Sequence, residues 1–133
     1  MTVADAATRH QARERALSLL YEAELKGSPP AEVVAALAVP PDPFAADLVA
    51  RAEAHREEAD RLVAEAAVGW SLERMAVVDR LVLRLAVTEL LDPSGPPLGV
   101  VIDEAVELAK TYSTEESGSF VNGVLSTVAR RLG

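Results

Sequence analysis

The segment from Val77 to Leu91 is apolar nearly all round, interrupted only by Asp79, Arg80, Arg84, Thr88 and Glu89. A helix with so little polar surface has to sit at the centre of a fold, covered on most sides by other elements. It is also shorter than the roughly 20 apolar residues that span a bilayer. The remaining sequence supplies suitable covers. Half of the 133 residues are hydrophobic but only 4% are aromatic, so the core must be built from Ala, Val and Leu, a mix that favours helix over sheet. From Thr8 onward, apolar residues recur at Ala12, Ala16, Leu19, Leu20 and Ala23, which is helical spacing. Residues 1–7 carry no strong pattern and are expected to be disordered.

Punctuation divides the rest. Gly27-Ser28-Pro29-Pro30 ends the first helix and opens a short one through Leu37. Asp42 is placed to cap a further helix with Pro43 at its first position, where the missing N–H is harmless. That helix is predicted to run to about Ala67, with His55 packed at the edge of the core on the stripe Phe44, Leu48, Ala52, Ala59, Leu62. Gly69-Trp70-Ser71 then separates two halves, about 8–69 and 70–133, and Ser71 reads as the cap of a turn through Met75. A stiff loop from Asp92 to Pro97 precedes the last two helices. No strand alternation or repeat occurs, so the expectation is a single all-α domain in two packed halves.

Composition excludes several chemistries. Cysteine is absent, which removes disulfides, thiolate metal sites and thiol nucleophiles. There is no Gly-rich phosphate loop, no metal-ligand spacing and no nucleophile beside a base, so no catalytic, cofactor or metal site is expected and the chain is not read as an enzyme. Without a signal-peptide core or a membrane-length apolar run, a cytoplasmic location is expected. The net charge of −8 argues against non-specific nucleic-acid binding, although a total charge can hide a local basic patch.

Three clusters stand out. Arg9 and Arg13 lie four apart on one stripe of the first helix, with His10 and Tyr21 on a neighbouring stripe. Guanidiniums beside an aromatic ring suit single-stranded RNA, though an ordinary solvated helix start fits as well. Ser113 to Gly118 opens the last helix. Ser113 with Glu116 makes a capping-box pattern, and such a helix start can also face RNA, through its hydroxyls and a carboxylate that accepts from base amino groups. In the central helix, Asp79, Arg80 and Arg84 must find partners, in an internal ion pair or at a protein interface. The pair Asn122-Gly123, in the stripe of Val121, Val124, Leu125 and Val128, reads as a tight helix crossing or, less simply, as RNA-facing.

Larger motifs bear on these alternatives. The block Asp103-Glu104-Ala105-Val106-Glu107-Leu108-Ala109-Lys110, an acidic polar loop, and Phe120-Val121-Asn122-Gly123-Val124-Leu125 follow one another in order. Arg9-His10-Gln11-Ala12-Arg13-Glu14 and Val78-Asp79-Arg80-Leu81-Val82-Leu83-Arg84 precede them. This arrangement resembles the NusB family of transcription antitermination factors, whose signature runs roughly N-E-A-x-E-L-A-K, a short acidic loop, then F-V-N-G-V-L. The resemblance covers about half the chain. It implies a helical bundle of about seven helices. It also implies an arginine-rich RNA motif at the first helix, used on the single-stranded element boxA. Arg9 and Arg13 match that motif, and His10 and Gln11 stand where arginine is common.

Lys110, Thr111, Ser113, Glu116 and Phe120 are implied near the RNA. Asp79, with Arg80 beside it, is implied on the surface that docks NusE, also a small-subunit ribosomal protein. One face, from the first helix and the start of the last, would hold RNA, and the assembly would present it to transcribing RNA polymerase. A protein-interaction or homodimer module without RNA binding is the alternative. A NusB-like domain also precedes the catalytic region of some ribosomal RNA cytosine methyltransferases, but no cofactor-binding α/β pattern occurs here.

Overall fold

The computed structural model describes the backbone of residues 3–133 and the side chains from residue 8 onward. Among these residues it contains seven α-helices, one 3₁₀ turn and no strand: α1 (Val3–Lys26), α2 (Pro30–Ala35), α3 (Pro43–Ala54), α4 (Arg56–Ala66), the turn Leu72–Arg74, α5 (Val77–Leu90), α6 (Leu98–Tyr112) and α7 (Glu115–Leu132). The first helix starts before the expected Thr8. Disorder had been expected for residues 1–7; residues 1 and 2 lie outside the described residues, while 3–7 are helical backbone. Ala4, Ala6 and Ala7 are strong helix formers and no breaker stands among them.

The chain divides into two compact units, Met1–Ala54 and His55–Gly133. The division falls at His55 rather than near Gly69, because the long helix expected from Pro43 to Ala67 is broken there. His55 leaves helical geometry, with φ −100° and ψ 12°, and the second stretch starts anew as α4. The apolar stripe survives on both sides, with Leu48, Ala52, Ala59 and Leu62 all buried. His55 itself is exposed, contrary to its expected place at the core edge. A side chain at a break no longer shares the rotation of the stripe it interrupts.

In the first unit, α1 packs on α2 and α3. The expected stripe of Ala12, Ala16, Leu19, Leu20 and Ala23 is buried in full, with Ala45, Leu48 and Val49 of α3. Gly27 ends α1 in the left-handed region at φ +63°, where its amide bonds the Glu24 carbonyl and the Ser28 amide the Ala23 carbonyl. That paired closure favours glycine, which carries no Cβ to clash. Asp42 caps α3 as its spacing requires, Oδ1 accepting from the amides of Phe44 at 2.8 Å and Ala45 at 3.4 Å.

The second unit is built round α5, whose residues 81–89 are all buried against α4, α6 and α7. One charge in this apolar helix is neutralised across the core. Arg84 Nε and Nη2 each donate at 3.0 Å to the two carboxylate oxygens of Asp60 in α4, a fork-to-fork pair. Ser71 occupies the residue before the 3₁₀ turn, but its side chain caps nothing; its carbonyl accepts from the Arg74 amide. No helix among the described residues is long and apolar enough to cross a membrane.

Candidate nucleic-acid interface

Each unit carries part of the expected site. On α1, Arg9 and Gln11 are exposed, His10 is half-buried 3.8 Å from Glu14, and Tyr21 is exposed. Eleven residues of helix place Tyr21 roughly 16 Å from His10 along the axis, so the two cannot serve one nucleotide. Arg13 departs from the expectation. It is only 6% exposed, because it stands beside Ala12, Ala16 and Leu17 on the buried side of the helix. Both guanidiniums share a ring that sequence reasoning had assigned to the core stripe. Arg9 Cζ lies 4.3 Å and Arg13 Cζ 5.5 Å from the centroid of Phe44. These are cation–π distances, and the ring restrains two long side chains that would otherwise sample many rotamers. Phe44 gave no signal in the sequence beyond its apolar character, since the partner of a ring depends on how α3 lies on α1.

In the second unit, the turn between α6 and α7 holds the other expected residues. Lys110, Thr111 and Glu116 are exposed, and Ser113 and Phe120 are half-buried. The cap of α7 is Thr114, one residue beyond the expected Ser113: its Oγ1 accepts from the Ser117 amide at 3.1 Å. Ser113 instead ends α6, with its Oγ 3.1 Å from that of Ser117. The tight helix crossing lies at Gly118, not at Gly123. A Cβ at Gly118 would stand 2.8 Å from Lys110 Cγ, whereas Gly123 has open space and Asn122 is exposed.

Glu116 and Phe120, four residues apart on α7, face a common cleft of about 280 Å³. That volume lies at the small end of ligand pockets and fits a single ring system better than a larger molecule. Trp70, 52% exposed, meets Phe120 edge-on with centroids 6.1 Å apart, and Arg74 and Met75 complete that wall. From sequence, Trp70 has only a place in the separator between halves and Arg74 only a place in the turn through Met75. The signal available in the sequence was the chain's single Trp standing directly after a glycine.

Asp79 also lines the cleft, and it is not the exposed acid that a docking surface would need. It is 8% exposed; Oδ2 accepts from Ser117 Oγ at 2.9 Å, while Oδ1 is buried without a protein hydrogen-bond partner. Arg80 is half-buried. The internal ion pair weighed for this cluster is formed by Arg84 with Asp60, not with Asp79. Among the described residues no group of acids and histidines could hold a metal ion.

Residues 10–130 match the NusB family. The chain belongs to the NusB family. Two relatives called transcription antitermination protein NusB are similar over most of their length. That of Thermobifida fusca is 46% identical over 128 residues, covering 93% of this chain and 90% of the relative. That of Acidothermus cellulolyticus is 50% identical over 124 residues, covering 90% and 86%. Among solved structures, T. maritima NusB superposes with a TM-score of 0.82 at 34% identity, covering 92% of this chain and 90% of that one. A chain from a crystal structure of antitermination factors NusB and NusE in complex with dsRNA gives 0.79 at 35% identity, covering 92% and 96%. The NusB-type all-α fold is thus shared, and NusB proteins are transcription factors, not enzymes.

Proposed function

We propose that this NusB-family chain is a transcription antitermination factor that binds boxA-type single-stranded RNA together with NusE, supporting antitermination and ribosomal RNA transcription. The observation that carries the reading is the cleft at the start of α7. It offers two aromatic edges, from Trp70 and Phe120, and a carboxylate at Glu116 within a volume suited to one ring system. Aromatic surface binds unstacked bases at roughly 1–3 kcal/mol each, and carboxylates accept from exocyclic amino groups. Arg9 on α1, steadied by Phe44, supplies a phosphate contact, with Gln11, His10 and Tyr21 as further polar or stacking groups; Lys110, Thr111 and Ser113 do the same beside the cleft. The solved relative in complex with NusE and dsRNA, at 35% identity, supports NusE and RNA as partners. NusE docks on the surface around Arg80, and the assembly acts on transcribing RNA polymerase in the cytoplasm.

Fluorescence anisotropy of a short boxA-like RNA, titrated without and with NusE beside a scrambled control, tests the proposal. Sequence-selective binding that tightens with NusE is expected. If about three phosphates are contacted, the logarithmic salt slope should be about −2. The burial of Arg13 favours the alternative of a protein-contact or homodimer module, since it withdraws one cation from the RNA. No selective binding in either titration would establish that alternative.

A further inference from the structure

Asp79 touches neither solvent nor a cation as its main contact; it touches the turn that carries the RNA-facing residues. Ser117 Oγ lies 2.9 Å from Asp79 Oδ2, 3.0 Å from Thr114 Oγ1 and 3.1 Å from Ser113 Oγ. A hydroxyl has one proton, and the carboxylate is its strongest acceptor, so Ser117 donates to Asp79, Thr114 Oγ1 is placed to donate to Ser117, and Ser113 Oγ is a weaker, competing acceptor. The same residue gives its amide to Thr114 Oγ1. Ser117 therefore ties α5 to the first turn of α7 across 38 residues of sequence. Next to it, Gly118 lets α7 close against the Lys110 stem.

We infer that Asp79 is a positioning residue for RNA: through Ser117 it holds the α6–α7 turn, and with it Glu116 and Phe120, in the geometry that receives a base. This rests on the proposed RNA function but gives Asp79 a role different from the partner contact implied by family resemblance. The tie needs an oxygen acceptor at Oδ2, not a negative charge. An asparagine keeps that acceptor and turns its amide toward the side now occupied by the unpartnered Oδ1. Alanine at either end of the tie removes it, and losing both ends costs no more than losing one.

The test compares Asp79→Asn, Asp79→Ala, Ser117→Ala and the double Asp79→Ala/Ser117→Ala variant. Each is checked for folding by circular dichroism and then titrated with the boxA-like RNA. The expected result is a weakening on the order of tenfold in Kd for both alanine variants, the scale of one charge-assisted hydrogen bond. The double variant should be no weaker, and Asp79→Asn should stay within about threefold of the parent. A loss in Asp79→Asn equal to that in Asp79→Ala, with Ser117→Ala unchanged, would overturn the inference and make Asp79 a direct charge contact.

Amide hydrogen exchange on the RNA-free protein gives a second reading that does not need RNA binding. Protection at Ser117 and Gly118 should fall in both single alanine variants and persist in Asp79→Asn. Unchanged protection in the alanine variants would refute the positioning role even if the RNA proposal stands. Lost protection with no RNA binding by the parent would refute the RNA proposal alone.

Discussion

Asp60→Ala should be among the more damaging single changes outside the proposed RNA surface. The Arg84 side chain is 7% exposed and Asp60 23%, and both guanidinium–carboxylate bonds measure 3.0 Å. Removing the carboxylate strands a charge in a helix whose neighbouring residues are all buried. Breaking one side of a buried pair costs about 3–5 kcal/mol. The exposure of Asp60 lets water reach the vacated place, so the lower end, about 3 kcal/mol, is expected. For a chain of this length that corresponds to a fall in Tm of about 10 °C. Thermal and urea unfolding followed by circular dichroism would measure it. The companion variant Asp60→Leu/Arg84→Met removes both charges and should recover most of the loss, because the desolvation cost goes with the pair. A Tm within about 2 °C of the parent in Asp60→Ala would show the pair to be solvated and refute the argument.

Two further outcomes can be checked with the same assays. Phe44→Leu keeps an apolar side chain but removes the ring beneath Arg9 and Arg13, so RNA should bind about three- to fivefold more weakly, with the salt slope unchanged because no charge is lost. Equal Kd values would mean that the ring does not restrain Arg9 for RNA. Gly123→Ala should stabilise the fold by about 0.5–1 kcal/mol, since the added methyl meets open space inside a helix. Gly118→Ala should show no such gain, because its methyl would press on the Lys110 stem; a Tm above that of the parent would contradict the close packing there.

Features written within a few residues were legible in the sequence. The stripe of α1, the Asp42 cap, the glycine stop at Gly27 and the burial of α5 depend on local periodicity and on single-residue geometry. The candidate site was written in the sequence only as residue types; that Glu116 and Phe120 line one cleft fits their four-residue separation on α7. The cap of α7 was harder. Ser113 with Glu116 and Thr114 with Ser117 both have the three-residue separation of a cap, and local spacing cannot choose between them. The choice falls to Thr114 in a turn whose Ser117 is drawn to a carboxylate 38 residues earlier.

Helical character and the rough order of the elements were thus determined by sequence alone, since each is a sum of short-range preferences. Tertiary structure decided the rest. It turned Arg13 inward beside Phe44, broke the helix at His55, matched Arg84 with Asp60 and buried Asp79 behind the cleft. In each case the same side chain could have been solvated or paired otherwise. The outcome depended on which helix faces met, and a buried charge or ring is satisfied only by groups that packing brings within reach.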